Sequence, residues 1–148
     1  MKNMKKVITV IFLITIFQST CYANSQTELS KEENVVLALL WPKITDVVNT
    51  YYSEYISGKV TVAPYENNTR IVSIEENISV SSNEECYSRY IVVVEVMPYI
   101  GAHNTVGKDH VKIGVDAVYG AEVCKFQHIE SYEIVHPYQK ERIIKPLP

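Results

Sequence analysis

Two histidines and a neighbouring amide are the side chains of this 148-residue sequence with the clearest capacity for chemistry. His103 and Asn104 belong to the stretch Gly101-Ala102-His103-Asn104, a small polar corner between two runs of strand-forming residues. If His136 and Asp109 met His103, two imidazole nitrogens and a carboxylate would suffice to hold a zinc ion with an open coordination position. The spacing matches no known metal motif, so unrelated surface and core histidines are the default interpretation and no metal is predicted.

The same corner has a simpler interpretation as a turn. Gly101 permits a positive φ and Asn104 tolerates a left-handed conformation, which a connection between strands needs whatever its purpose. Loops on a rigid sheet are also where binding residues usually lie. A plain turn and a recognition site centred on His103 and Asn104 therefore both stay open.

Acid–base or nucleophilic catalysis has less support. The sequence contains no Gly-x-Ser-x-Gly, His-Glu-x-x-His, phosphate-loop or EF-hand pattern. The adjacent pairs Glu75-Glu76 and Glu84-Glu85 would point to opposite faces of a strand, so they are interpreted as solvated charge. No catalytic residue and no cofactor are predicted, and a non-enzymatic binding domain is favoured over a small hydrolase or metal-dependent protein.

The cysteines Cys86 and Cys124 admit three states. If Cys21 is removed with the signal peptide described below, these two cysteines remain, and an even count in an oxidising compartment favours a disulfide. On a sheet with tight turns near residues 104 and 119, however, Cys124 is level with Val94, about eight residues and about 26 Å from Cys86, whereas bonded cysteines have Cα atoms within about 7 Å. A disulfide therefore requires the segment Ser81–Tyr87 to fold back over the core face, and free thiols or a bond between chains are the alternatives.

The start of the chain has the three parts of a secretory signal peptide. Three lysines among the first six residues form a basic region, Val7–Phe17 is an uninterrupted apolar run, and residues 18–23 are polar and small. The apolar run is shorter than the about 20 residues of a transmembrane helix. Export is predicted, with cleavage after Ala23 and a short linker over residues 24–29.

A lipid anchor is the alternative to cleavage. Cys21 would then become the acylated first residue of the mature chain, although Gln18 and Thr20 suit the positions before such a cysteine poorly. Contact with a membrane is thus predicted only through the signal peptide or through a lipid on Cys21.

Without residues 1–23 the chain is acidic and long enough for one domain. It keeps 11 basic and 17 acidic side chains, a formal charge of −6, and lacks the basic surface of a nucleic-acid-binding protein. The predicted partner is a protein or small ligand at or outside the cell surface, of unknown identity. One domain is expected over residues 30–138, followed by a loosely attached tail over residues 139–148.

A helix is predicted across residues 29–57, because apolar side chains recur there at steps of three and four. The predicted buried stripe is Leu37, Leu40, Trp41, Ile44, Val48, Tyr51 and Tyr55. Ser30 and Glu33 predict a capping box at its start, Gly58 a stop, and Pro42 a kink or a division into two helices. Tyr51 and Tyr52 belong either to the core, with solvated hydroxyls, or to a ligand groove.

Beyond Gly58 the period of the apolar residues changes to two. The predicted strands are Val60–Pro64, Arg70–Ile78, Tyr87–Ile100, Asp109–Tyr119 and Glu122–His136. In the register that tight turns imply, His136 is level with His103, His110 lies opposite Ile129, and His128 faces the core. A helix followed by antiparallel strands predicts an α+β fold, with one helix packed on a curved sheet of about four strands, as in cystatin-like or NTF2-like proteins.

The chain resembles a family of small secreted proteins of Gram-positive, spore-forming bacteria, known as domain of unknown function 3888. The resemblance covers most of residues 30–132 and rests on a helix with Pro42 in its first half, the Tyr51-Tyr52 pair near its end, and the Gly-Ala-His-Asn corner. Family members continue that corner with Pro-Pro-Tyr-Gly, where this chain has Thr105-Val106-Gly107. The family has no assigned activity, so the resemblance implies location and architecture alone.

Export makes a testable prediction about the secreted protein. The intact mass of the protein recovered from the culture medium should correspond to a chain beginning at Asn24. Full-length chain retained in the cytoplasm would contradict export, whereas a diacylglyceryl mass on Cys21 would establish the lipid-anchored alternative.

Overall fold

The computed structural model describes residues 29–64, 68–77, 86–101 and 104–148. Within these ranges the chain forms one long helix, a four-stranded antiparallel sheet, a two-residue strand pair and a short second helix. In chain order the elements are α1 (Lys31–Tyr52), β1 (Thr69–Glu76), β2 (Tyr90–Val96), β3 (Tyr99–Ile100), β4 (Asn104–Thr105), β5 (Gly107–Asp116), β6 (Gly120–Ser131) and α2 (Pro137–Lys140). The α+β class predicted from the sequence is confirmed. Neither of these helices has the length and apolar character needed to cross a membrane.

The start of α1 is the predicted capping box. The Ser30 hydroxyl accepts the Glu33 backbone N–H at 3.1 Å, and the Glu33 carboxylate accepts the Ser30 N–H at 2.8 Å. The helix continues through Pro42, so the predicted division into two helices does not occur. It ends at Tyr52 rather than near residue 57, because the following residues turn so that Ile56 can pair with Ile143.

The sheet has the strand order β1-β2-β5-β6, with every neighbouring pair antiparallel. The predicted strand Tyr87–Ile100 is interrupted between β2 and β3 at Pro98, whose missing N–H cannot join a strand ladder. The predicted strand Val60–Pro64 is reduced to a single bridge between Thr61 and Tyr99. These two corrections leave four long strands to form the platform under α1.

The core lies between α1 and one face of this sheet. Its main members are Leu37, Leu40, Ile44, Val48 and Tyr52 from α1, and Val92, Val94, Val96, Val111 and Ile113 from β2 and β5. The predicted stripe was wrong at its aromatic positions, since Trp41, Tyr51 and Tyr55 are only partly buried. Of the tyrosines that the structure describes, Tyr52 is the one with no exposed surface, because the buried row on α1 follows steps of four from Leu40 onward.

Two β-bulges in β6 change the expected register. Cys124 and Ile129 are extra residues that have no direct partner on β5. His110 pairs with Gln127 and not with Ile129, because the turn that pairs Asp116 with Gly120 lies earlier in the chain than the expected turn near residue 119, so that part of the predicted register was wrong. Each bulge also reverses which face the following residues of β6 present, which matters for the polar cluster described below.

Cys86 and Cys124 are joined by a disulfide, with their Cα atoms 5.4 Å apart. The long distance expected from the sequence assumed that β2 extends back to Cys86, whereas β2 begins at Tyr90. Residues 86–88 instead cross the sheet at Gly114, where a Cβ would collide with Cys86 Sγ. Because Gly114 alternates with the core residue Ile113, this crossing lies on the face opposite α1 and not on the core face as expected.

The tail (residues 139–148), for which the sequence predicted loose attachment, contacts the residues that follow α1. Ile143 pairs with the buried Ile56, and Leu147 lies against the core cluster. The Arg142 guanidinium donates to the carbonyls of Ser57 and Lys59 at 2.9 and 3.0 Å. The tail covers Ile56 and closes the end of the core that the sheet leaves open.

The burial of Val94 gives a test of this architecture. Val94 has no exposed surface, so Val94→Asp places an unpaired charge in the core, at a cost of several kcal/mol against a total stability of about 5–15 kcal/mol. We expect the variant to lose its cooperative thermal transition. Val72→Asp is the matched control, since Val72 is 48% exposed on β1, and its melting temperature should stay within a few degrees of wild type. A cooperative transition in Val94→Asp near the wild-type temperature would contradict the fold.

Candidate functional site

A polar cluster lies inside the apolar core where the end of α1 meets β5 and β6. Asp109 of β5 has no exposed surface. The Tyr52 hydroxyl donates to Asp109 Oδ2 at 3.1 Å, and His128 Nδ1 lies 2.6 Å from Asp109 Oδ1. His128 Nε2 lies 2.8 Å from the Ser131 hydroxyl oxygen. An acid, an imidazole and a hydroxyl thus form one continuous row of hydrogen bonds.

The bulge at Ile129 brings this row onto one face of the sheet. Asp109 and His128 are direct partners across β5 and β6, so their side chains share the core face. In a regular strand Ser131, three residues beyond His128, would point to the opposite face. Because the bulge adds one residue, Ser131 pairs with Gly107 and returns to the core face beside His128.

Gly107 makes room for the cluster. A Cβ at this position would collide with the Tyr52 hydroxyl and would lie 2.8 Å from both His128 Cε1 and the Glu130 carbonyl oxygen. Contacts under 3.0 Å are closer than real Cβ atoms make, so any side chain here would separate Tyr52 from His128. The approach of the phenol, the imidazole and the carboxylate therefore depends on glycine at residue 107.

The donors and acceptors give the row a direction. Ser131 Oγ lies 2.6 Å from the carbonyl oxygen of Pro148, which can only accept, so the single hydroxyl proton of Ser131 is donated to Pro148. His128 must then donate its Nε2 proton to Ser131 Oγ. At the other end Asp109 accepts from Tyr52, and the Asp109–His128 contact holds the remaining proton. The row runs from a buried carboxyl group outward to the tail.

Burial controls the protonation of the two innermost groups. Desolvation raises the pKa of Asp109, and the hydrogen bonds from His128 and Tyr52 oppose that shift without cancelling it. Desolvation also raises the pKa of Tyr52, and the neighbouring charge of Asp109 adds to the rise. Tyr52 therefore remains a protonated phenol and a permanent donor to Asp109.

Half-buried aromatic rings surround the outer part of the row. Tyr51 stacks on His128 with ring centroids 5.4 Å apart and planes 23° apart. Its centroid also lies 4.6 Å from that of Phe126 and 5.3 Å from that of Tyr55. We call the surface formed by Tyr51, Tyr55, Phe126, His128 and Ser131 the tail groove, because the tail lies along it.

The residues proposed from the sequence have different outcomes. Tyr51 and Tyr52 both belong to this cluster, Tyr51 as an aromatic wall and Tyr52 as a donor to Asp109. Asn104 is half-buried in β4, where it pairs with Ile100. His103 lies outside the described residues. His136 is exposed at the N-cap of α2, so nothing described gives it a metal-binding role.

Metal binding has one further candidate in the part of the chain that the structure describes. Ligand atoms of Cys86, Glu122 and Cys124 lie within 4.8 Å of one another. Both sulfurs belong to the disulfide and so lack the thiolate charge that binds metal ions. The Glu122 carboxylate instead accepts the Ser88 hydroxyl at 3.3 Å.

Two clefts border α1 away from the row. One, of about 900 Å³, is open and is lined by residues such as Asp46, Asn49 and Lys59. The other, of about 360 Å³, is almost wholly apolar and lies between α1 and the far end of the sheet. Neither cleft is lined by His128 or Ser131, so the tail groove is the surface on which the reactive side chains converge.

The Asp109–His128–Ser131 row escaped prediction from the sequence. Two signals were present, since Asp109 alternates with the core residues Val111 and Ile113, and His128 was expected to face the core. A buried acid and a buried imidazole on neighbouring strands would satisfy each other. The expected register paired His110 with Ile129 and so placed Asp109 opposite Glu130 rather than His128. Without the bulge at Ile129 it also left Ser131 on the opposite face.

Comparison with known proteins adds one decisive finding. A family model described as "Protein of unknown function (DUF3888)" matches residues 32–130, more than half of the chain. The chain belongs to this family. The DUF3888 match extends from α1 into β6 and includes Asp109 and His128, and it ends one residue before Ser131. No curated protein and no solved structure matches the chain significantly.

The raised pKa of Asp109 predicts how stability depends on pH. A group whose pKa is raised on folding contributes stability that is complete below its unfolded value of about 3.9 and is lost as pH rises through the folded value. Asn at this position cannot ionise. The melting temperature of Asp109→Asn minus that of wild type should therefore increase between about pH 3 and pH 7.

The control for this prediction is Asp46→Asn, which removes an exposed carboxyl group from α1. Its difference from wild type should change less over the same range, because an exposed charge is already solvated. A difference that falls with rising pH for Asp109→Asn would show that the ion pair with His128 outweighs the cost of burial.

Proposed function

We propose that this DUF3888 protein is an exported domain that binds an extended peptide segment in the tail groove. One observation carries the proposal: the groove holds such a segment, with the Pro148 carbonyl oxygen 2.6 Å from Ser131 Oγ. Export is inferred from the basic and apolar start of the sequence. We also propose a cystatin-like or NTF2-like architecture, which one helix packed on four antiparallel strands supports.

Main-chain pairing supports recognition of an extended peptide. Ile143 forms a bridge with Ile56, and the Ile144 N–H donates to the Tyr55 carbonyl oxygen at 2.7 Å. Hydrogen bonds of this kind recognise the backbone of any extended segment, as in binding by strand addition. They supply affinity, and selectivity must come from the side chains beyond residue 144.

Two side chains of the tail define that selectivity. The Lys145 ammonium lies 4.4 Å from the centre of the Tyr55 ring and 3.1 Å from a Glu54 carboxylate oxygen. Leu147, two residues later, packs against the core cluster. A matching ligand therefore has a cation two residues before a large apolar side chain, followed by a carbonyl or carboxylate oxygen for Ser131.

The end of the tail, residues 145–148, is held weakly enough to exchange with a ligand. Lys145 and Glu54 are 49% and 66% exposed, and surface ion pairs of this kind contribute at most about 1 kcal/mol. Pro148 is itself exposed. Leu147 is only partly buried, so its packing contributes less than a full leucine burial would. A peptide of the same chemistry can thus compete for the groove.

Peptide capture tests the proposal. A labelled peptide with the sequence of residues 141–148, ERIIKPLP, should bind the full chain carrying Leu147→Asp, whose own tail is released. Binding to wild type should be at least about tenfold weaker, because a tethered tail competes at an effective concentration in the millimolar range. Fluorescence anisotropy measures both dissociation constants.

A control variant and a control peptide separate specific from nonspecific binding. Val135→Asp changes a residue that is 71% exposed, and it should leave peptide binding as in wild type. A peptide with Asp in place of the residue equivalent to Leu147 should not bind. Failure of ERIIKPLP to bind a folded Leu147→Asp protein would refute peptide recognition in the tail groove.

A further inference from the structure

We propose that Ser131 is also a nucleophile, with His128 as its general base, which cleaves carboxylic esters when the tail leaves the groove. The inference uses the groove of the proposed function but does not require that the groove bind peptides. It goes beyond binding because it assigns a covalent step to a named oxygen atom.

The geometry is that of an activated hydroxyl. His128 Nε2 lies 2.8 Å from Ser131 Oγ, and His128 Nδ1 lies 2.6 Å from Asp109 Oδ1. Both distances are within reach of proton transfer, and the order acid, imidazole, hydroxyl is the arrangement by which serine hydrolases activate their nucleophile. His128 is 12% exposed at its side chain, so the base is shielded from bulk water without being sealed off.

Asp109 and Tyr52 position the base without touching a substrate. Asp109 is fully buried and accepts from Tyr52 and His128 together, which fixes the orientation of the imidazole. Stacking of Tyr51 on His128 restrains the plane of the ring. Ser131, three residues after His128 on the bulged strand β6, then has an imidazole of fixed orientation as its hydrogen-bond partner.

The tail decides whether His128 acts as donor or acceptor. While Pro148 accepts the proton of Ser131, His128 Nε2 can only donate to Ser131 Oγ and cannot act as its base. Once the tail leaves, the hydroxyl proton can turn toward an unprotonated Nε2. The tail is therefore an inhibitory contact that holds the hydrogen bond between Ser131 and His128 in the unproductive direction.

The reaction balances with the groups present. Ser131 Oγ bonds to the ester carbonyl carbon, and its proton moves to His128 Nε2. The bond from carbon to the alcohol oxygen breaks, and His128 returns the proton to that oxygen. Water then repeats the sequence, so the acid leaves and Ser131 regains its hydroxyl group.

The backbone around Ser131 restricts the substrate class. The N–H of Tyr132, the residue after the nucleophile, donates to the Val106 carbonyl oxygen at 3.0 Å and is not free to bind an oxyanion. Loss of one such donor typically lowers kcat by about 10²–10³. Esters with good leaving groups and apolar acyl groups, which suit Tyr51 and Phe126, are therefore favoured, and peptide bonds are not cleaved.

Labelling with a fluorophosphonate probe tests the inference on the full chain. Ser131 Oγ displaces fluoride from phosphorus, and peptide mapping by mass spectrometry identifies the modified residue. We expect Ser131 to be labelled at least about tenfold faster in Leu147→Asp than in wild type, in line with release of the tail. Lys145→Glu, which removes exposed contacts with Glu54 and Tyr55, is a second way to release the tail should Leu147→Asp fold poorly.

Four variants made in the tail-released protein identify the groups involved. Ser131→Ala should abolish labelling, and His128→Ala should slow it by about 10² or more. Asp109→Asn should change the pH profile of the labelling rate, which a merely structural role would not do. Ser53→Ala is the matched control, since the Ser53 hydroxyl donates only to the Thr50 carbonyl within its own turn, and labelling of Ser131 should be unchanged.

The two proposals fail separately. Tail-released protein that captures ERIIKPLP but shows no labelling of Ser131 would overturn the nucleophile and leave peptide binding intact. Labelling of Ser131 without peptide capture would support the nucleophile and refute the binding function. Equal labelling of wild type and tail-released protein would overturn the inhibitory role of the tail.

Discussion

Asp109 is a carboxyl group with no access to solvent, and this burial constrains the groove end of the molecule. An ionised carboxylate without partners in an apolar interior costs several kcal/mol, a large part of a domain's whole stability of about 5–15 kcal/mol. Tyr52 and His128 supply the required donors, one from α1 and one from β6. The end of α1 and the strand β6 are thereby both hydrogen-bonded to the Asp109 carboxyl group on β5.

Several local features have a common explanation in this requirement. Glycine at residue 107 leaves the space in which Tyr52 and His128 approach each other. The bulge at Ile129 brings Ser131 onto the face where His128 needs a second partner. The buried row of α1 ends at Tyr52 because its phenol must reach Asp109, and Tyr51 is left to stack on the outer side of the imidazole.

Local patterns in the sequence predicted where the helix and the strands lie. They did not predict as well which residues of neighbouring strands pair with each other. Ser30 and Glu33 located the start of the helix, because a capping box is a contact between residues three apart. The alternation of apolar and polar residues located β2, β5 and β6, because it too is a pattern among residues that are close in the chain. A bulge adds one residue without a signature of its own, so the sequence did not show that the extra residue Ile129 places Ser131 on the face of Asp109 and His128.

At the polar corner around Gly101 the sequence predicted the backbone correctly but did not identify the histidine of the polar cluster. Gly101 has a φ of 56°, as its role in a turn requires, so this part of the sequence was informative about the backbone. The histidine of that corner, His103, was singled out because the sequence predicts a turn there, whereas His128 stands inside a strand with no motif around it. Its importance comes from Asp109, nineteen residues away along the chain, and only pairing between strands connects the two.

The disulfide divides the molecule into parts of unequal cooperativity. The covalent loop from Cys86 to Cys124 contains β2 and β5, whereas His128, Ser131 and the whole tail follow it in the chain. Closing a loop of this length lowers the entropy of the unfolded chain and contributes about 4 kcal/mol in the chain-entropy account. The seven residues of β6 that follow Cys124 and the tail lie outside that constraint and can open as a separate unit, with amide hydrogens that exchange before those of β2 and β5.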